Sequence, residues 1–170
     1  TDARKLTSHI AVAKAIKKYD LRRIITFHGR VARARDFRDQ FPQFIRWMPK
    51  ADIPAGQIWT ELISGDMTSS KRDVILDRLR EVQPPARGIV TNARCLSEGI
   101  DVRALDGVAF IDPKESQVDI IQAVGRAIRK AERKKHGIII LPVYISSDED
   151  EGKTLEDSSF KQVWRVLRAL

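Results

Sequence analysis

Residues 87–102 read RGIVTNARCLSEGIDV. Arg87 to Asn92 form a short apolar run led by a glycine and closed by two hydrogen-bonding side chains. A run of that length bounded by turn residues fits a strand buried on both faces. Gly99 follows, where it permits a tight turn. Asp101 then offers a carboxylate that can accept bonds from ribose hydroxyls. A simple turn and helix cap would use the same two residue types.

The pattern repeats on either side. Residues 22–29 (RRIITFHG), 57–65 (QIWTELISG), 106–112 (DGVAFID) and 137–145 (GIIILPVYI) are further apolar runs. Helical spacing separates them. Residues 7–19 read as a helix, and 31–47 as a helix broken at Pro42. Ser70 with Asp73 resembles a capping box opening a helix through Glu81, which Pro84-Pro85 stops. Ser116 caps a helix through Ala131. Residues 146–157 read as a polar, acidic loop, and 158–170 as an amphipathic helix. Strands alternating with helices predict an α/β fold, a mostly parallel sheet flanked by helices on both faces. Ligands of such sheets sit beyond the carboxyl ends of the strands. Ser64, Gly65, Thr91 and Asn92, each closing an apolar run, are therefore candidate contact residues.

Composition narrows the partners. The 170 residues carry 31 Lys plus Arg against 23 Asp plus Glu, a net charge of +8, which favours polyanions. No apolar run reaches the ~18 residues of a membrane span, and no apolar segment marks a signal peptide. The single cysteine, Cys95, excludes an internal disulfide and a cysteine-based zinc cluster. These features fit a cytoplasmic, monomeric protein that meets nucleic acid. The first residue is not Met and the first helix reads as already under way, so a piece of a longer chain is expected.

Gln122, Arg126 and Arg129 sit in the stretch QAVGRAIRK, residues 122–130. On a helix they fall within roughly 60° of one another. Ile120, Ile121, Val124, Ile128 and Ala131 make the opposite, packing arc. Gly125 costs about 1 kcal/mol in a helix interior relative to Ala, a cost that close approach by a ligand or neighbouring backbone would offset. A guanidinium fork suits phosphate oxygens. A solvated basic helix would show the same charges.

Order and separation of these stretches carry a resemblance. The series GIVTNARCLSEGIDV…VAFIDP…SQVDIIQAVGRAIRK resembles motifs V and VI of superfamily 2 helicases. IITFHGRVARARDF is similar to motif IV, and ELISGDMTSSKR to the Ser-Gly segment after it. The form of the motif V stretch is closer to DNA-directed restriction- and repair-type translocases than to DEAD-box RNA helicases. The resemblance implies the second RecA-like domain of a two-domain motor, across residues 1–170. It implies that Arg129 is an arginine finger, with Arg126 beside it at the phosphates and Gln122 linking nucleotide state to domain closure. Gly99 and Asp101 would line the nucleotide side. Thr91, Asn92, Ser64 and Gly65 would meet the nucleic-acid backbone, DNA in preference to RNA. The family's ATP and Mg²⁺ would be held by the N-terminal RecA-like domain. This sequence has no G-x-x-x-x-G-K-[ST] and no D-E-x-H or D-E-x-D. The chain alone is thus expected not to hydrolyse ATP and to hold no metal. Two other readings share the sheet: a stand-alone basic nucleic-acid-binding module, and a doubly wound small-molecule enzyme, which the lack of G-x-G-x-x-G disfavours.

The other conspicuous residues read first as structure. His28 fits a buried or capping histidine, with a place on the strand path as the alternative. Trp47, Trp59 and Trp164 fit packing groups, with base stacking by Trp59 as the alternative, and Cys95 a small buried apolar residue. Arg30, Arg33, Arg35 and Arg38 can track phosphates or solvate a helix. Lys130, Arg133, Lys134 and Lys135 can solvate a helix end.

Overall fold

The computed structural model describes residues 2–93, 105–128 and 136–170. Within them the elements run α1 (Asp2–Tyr19), β1 (Arg23–His28), α2 (Val31–Trp47), β2 (Ile58–Ser64), α3 (Ser69–Arg80), β3 (Arg87–Ala93), β4 (Gly107–Phe110), α4 (Gln117–Ile128), β5 (Ile138–Ile140), α5 (Glu151–Asp157) and α6 (Lys161–Ala169). The strands form one sheet in the order β2-β3-β1-β4-β5, and every pairing is parallel. This is the expected α/β architecture.

Alternation along the strands sorts the core into two layers. Ile25, Phe27, Ile63, Val90, Val108 and Phe110 face α3, α4 and α6 through Leu76, Leu79, Ile120, Val124, Phe160 and Val163. Ile24, Ile89, Ala109 and Ile140 face α1 and α2 through Val12, Ile16, Phe37 and Phe41. Where β3 crosses β2, a Cβ on Gly88 would stand 2.3 Å from Trp59 Cζ2 and 2.8 Å from Leu79 Cδ1. Glycine there lets the indole lie flat on the strand. The Arg78 guanidinium covers its outer face, 4.2 Å from the ring centroid. Trp59 is a packing group.

Several local expectations need correction. Pro42 does not break α2, which runs unbroken from Val31 to Trp47. Proline has no N–H for the carbonyl four residues back, and that carbonyl, on Arg38, instead accepts the Thr60 hydroxyl at 2.7 Å. A neighbouring strand thus satisfies the group that proline leaves unbonded. The cap of α3 is Thr68, whose side chain accepts from Lys71 N, and not Ser70. The Ser116 cap stands, its hydroxyl accepting from Asp119 N at 3.3 Å. β5 is three residues long, because Pro142 cannot donate to a continuing ladder. Part of the expected acidic loop is α5, capped by Asp150, which accepts from Lys153 N at 2.7 Å. Trp47 is 88% exposed and Ile121 48% exposed, so neither packs inside. Among the described residues no helix is long and apolar enough to cross a membrane.

Two side chains hold the amino end of the sheet. Arg87, 5% exposed, donates to the Leu21 carbonyl at 2.7 Å, the Ala55 carbonyl at 2.6 Å and Asp20 Oδ1 at 2.7 Å. The Asp106 carboxylate accepts from the backbone N–H groups of Arg22 and Arg23, each at 2.9 Å. One arginine therefore joins three chain segments and one aspartate aligns β1 with β4.

Candidate nucleotide and nucleic-acid site

The carboxyl ends of β1, β2 and β3 lie level. His28 and Ser64 are both in register with Ala93. Gly29 and Gly65 follow at the surface, and α2 and α3 begin just beyond. Alternation then separates the candidate residues. Ser64 and Thr91 share the α1/α2 side of the sheet with His28. Asn92 shares the other side with α4.

These polar side chains are less available than the sequence suggests. Thr91 is wholly buried, and its hydroxyl donates to the Glu61 carbonyl at 3.2 Å. Asn92 is also buried. Ser64 is buried and its hydroxyl donates to Asp66. That bond holds the Asp66 carboxyl below its ordinary range, so Asp66 stands ionised at the surface beside Gly65. The accessible groups of this turn are the Gly65 backbone, the Asp66 carboxylate and the side chains of Thr68, Ser69 and Ser70.

The turn after β1 is anchored by a residue that sequence reading passed over. Asp112, two residues beyond β4 and nearly buried, accepts the Gly29 N–H at 2.8 Å and also pairs with Arg33. Arg33 thus leaves the basic series as a structural partner. Beside it His28 is buried, its Nε2 2.8 Å from the Thr26 hydroxyl. Burial pushes its pKa down to about 4, against a smaller upward pull from Asp112. His9 on α1 stacks on Phe37 with centroids 4.7 Å apart. Its Nδ1 lies 2.7 Å from the Lys5 carbonyl, which can only accept, so Nδ1 carries the proton. Burial lowers the pKa of His9 too. The two imidazoles, Phe37 and Asp112 border an open crevice between the tops of α1 and α2. The spacing of His9 from Phe37 in sequence gives no sign of this contact.

On the opposite face α4 packs through Ile120, Ala123 and Val124. Gln122 is exposed, as are Val118 and Ile121, at 63% and 48%. Among the described residues, a Cβ built on Gly125 meets nothing within 4 Å. Within the described residues the outward arc of the helix is therefore uncovered. Gly99, Asp101 and Arg129 lie outside the described residues, and Arg126 is described only as part of the α4 backbone. The structure places Gln122 on the exposed side of α4, and its relation to those four lies outside the described residues. No group of three His, Cys, Asp or Glu among the described residues could hold a metal ion.

The family model of the helicase conserved C-terminal domain matches residues 8–131. The chain belongs to that family. Its fold is the C-terminal RecA-like domain of superfamily 2 helicases. Among solved structures, the ATP-dependent Type ISP restriction-modification enzyme LlaBIII bound to DNA is similar at a TM-score of 0.77 and 32% identity. That match covers 98% of this chain and 12% of the other. Domain 2 of the DEAD-box helicase Mss116p, bound to an RNA duplex, shares the fold at a TM-score of 0.52 and 19% identity, covering 96% and 76%. The SNF2 domain-containing protein CLASSY 2 of Arabidopsis thaliana is 24% identical over 143 residues, 84% of this chain and 10% of that protein. The probable helicase A859L of African swine fever virus is 37% identical over 60 residues, 35% of this chain and 7% of that protein. This helicase C-terminal domain spans a tenth or less of the length of those curated relatives.

Proposed function

We propose that residues 1–170 are the second motor domain of a longer ATP-dependent translocase acting on nucleic acid, DNA in preference to RNA. The observation that carries this reading is the open arc of α4. The helix buries Ile120, Ala123 and Val124 yet leaves Gln122 exposed and Gly125 uncovered within the described residues. That face suits a nucleotide delivered by an N-terminal RecA-like domain. Likeness to a DNA-bound, ATP-dependent restriction enzyme at 32% identity supports the choice of DNA.

In this reading ATP with Mg²⁺, held by the other domain, supplies the hydrolysable phosphate. Arg126 and Arg129 bring guanidinium charge to its phosphates, Gln122 senses the closed cleft, and Gly99 and Asp101 meet the sugar side. The nucleic-acid backbone lies across the tips of β1 to β3. Because Thr91, Asn92 and the Ser64 hydroxyl are buried, they shape this edge. The Gly65 backbone and the Thr68–Ser70 hydroxyls make the contact. Such contacts are blind to sequence and sensitive to salt.

The test is nucleic-acid-stimulated ATP turnover by the intact protein. An arginine finger contributes ~10³–10⁵ in rate, so Arg129→Ala is expected to abolish turnover while leaving nucleic-acid binding in place. Undiminished turnover in Arg129→Ala and Arg126→Ala rejects the assignment. Nucleic-acid binding by an intact protein that never turns over ATP favours the stand-alone binding module.

A further inference from the structure

The turn between β1 and α2 holds a set of anion-binding donors that the chain fills itself. β1 and β4 stay in register as far as Phe27 and Phe110. Beyond that pair the N–H groups of Ile111 and Asp112 both reach the Phe27 carbonyl, at 3.0 and 3.3 Å. This tether sets Asp112 beside the turn that leads into α2, and both of its carboxylate oxygens are used there. Oδ2 accepts the Gly29 N–H at 2.8 Å, and Oδ1 pairs with the Arg33 guanidinium. A backbone N–H at the approach to a helix and an arginine fork are donors that phosphate oxygens also take.

The pair is uneven. The Asp112 side chain is 8% exposed and that of Arg33 50%. The carboxylate therefore lies inside, while the guanidinium lies at the surface, where a second anion could meet it. The start of α2 is itself electropositive. Arg30, the residue before it, makes no side-chain cap, and the first turn holds no acidic residue, so no side chain of the turn itself satisfies the leading amides. Arg30 is exposed and pairs with no carboxylate among the described residues. Asp112 thus reaches this turn from the end of another strand and takes from it one N–H and one positive charge.

We propose that Asp112 is a positioning residue that competes with backbone phosphate: its carboxylate occupies the donors of Gly29 and Arg33 and so weakens the hold of the strand tips on nucleic acid. The proposal rests on the reading that nucleic acid crosses the tips of β1 to β3. Arg33, in the first turn of α2, then stands at that path but is withheld from it. Breaking an ion pair with one buried member is costly, because the buried charge is left without its partner. A phosphate therefore does not take Arg33 from Asp112, and the unpaired Arg30 meets the backbone instead. A translocase must release its track at every step, and each phosphate contact withheld eases that release.

The probe is a mixed-sequence DNA duplex, titrated without nucleotide against the 170-residue chain across a salt series. Asp112→Asn keeps an oxygen for the Gly29 N–H and removes the charge that holds Arg33. It is expected to bind roughly 3- to 10-fold tighter at ~0.1 M salt, with the logarithmic salt dependence steeper by about 0.9, the mark of one more phosphate contact. Arg33→Gln with Asp112→Asn keeps the parent's net charge and should return to the parent's affinity and slope. Arg33→Gln alone should weaken binding, since a bare carboxylate is left at the path, yet leave the slope unchanged. A urea midpoint checks that each variant folds, and Arg33→Gln carries the test should Asp112→Asn not fold. Unchanged affinity and slope in a folded Asp112→Asn chain make the pair structural only and overturn the proposal. So does an equal gain in the single and double variants, since lost charge and not a freed Arg33 would then be the cause. A slope flattened by about 0.9 in Arg33→Gln overturns it too, because Arg33 would already meet a phosphate. None of these readings involves ATP, so undiminished turnover in intact Arg129→Ala and Arg126→Ala protein bears on the motor reading alone.

Discussion

Acid should loosen this domain through His28. Its imidazole is 3% exposed at the tip of β1, and burial lowers its pKa from 6.5 to about 4. The unfolded chain takes up a proton as pH falls through 6.5, and the folded chain does so only near 4. Between those values the unfolded state binds more protons, so stability falls as pH falls. The slope approaches about 1.4 kcal/mol per pH unit for one proton, and the whole window amounts to about 3 kcal/mol. Above pH 7 the contribution is flat. Urea unfolding at pH 7.5, 6.5, 5.5 and 4.5 measures the effect, and the difference between the parent and His28→Gln isolates it. His9, also lowered by burial, adds a loss of the same sign, and because its charge lowers the His28 pKa too, the comparison is made in a His9→Gln background. His28→Gln should be less stable at neutral pH, where a fitted side chain is lost, and should have the shallower acid slope. Parallel curves for the two proteins between pH 6.5 and 4.5 would refute the argument, since His28 would then titrate as it does in the unfolded chain.

Thr60→Val should cost about 1–2 kcal/mol by leaving the Arg38 carbonyl unbonded. Adding Pro42→Ala should recover much of that, because alanine in place of the proline brings back an N–H; strict additivity in chemical denaturation would count against the pairing. Gly88→Ala should lose about 1–3 kcal/mol by overpacking against Trp59 and Leu79, visible as a lower urea midpoint with altered tryptophan emission. Arg87→Met should cost about 3 kcal/mol, as the Leu21 and Ala55 carbonyls lose a charged donor, and a stability within about 0.5 kcal/mol of the parent rejects its role as a clamp. Gly125→Ala should stabilise the isolated chain by up to about 1 kcal/mol yet slow ATP turnover in the intact protein.

The sheet was legible because its strands are apolar runs and its helices keep a 3.6-residue period, signals that burial on two faces imposes directly. What misled was chemistry that only the folded arrangement of neighbours settles, some of them far away in sequence. Pro42 reads as a break because the hydroxyl that compensates it comes from β2. Ser64 and Thr91 read as free hydrogen-bonding groups because their acceptors, Asp66 and the Glu61 carbonyl, are fixed only once the strand tips fold. Ile121 reads as core because it lies beside the buried arc, about 60° from Val124, which is enough to turn it to solvent. Asp112 was not legible at all. A lone aspartate after a strand carries no sign that it receives the Gly29 N–H from another strand's turn.

Two glycines show where the chain's own packing stops. Gly88 and Gly125 each interrupt a regular element, and each costs that element stability. For Gly88 the compensation is internal, since the indole of Trp59 occupies the space of the missing Cβ. For Gly125 the described residues supply none. No described residue fills its surroundings, and on the same arc Val118 and Ile121 stand exposed. Replacing each by alanine therefore separates two kinds of cost. Gly88→Ala should lower stability in any context. Gly125→Ala should raise it in isolation and, on the proposed motor reading, impair only the intact protein, where the partner domain would close on α4. Destabilisation of the isolated chain by Gly125→Ala would mean that an internal neighbour already fills that space, and the open face on which the motor reading rests would be lost.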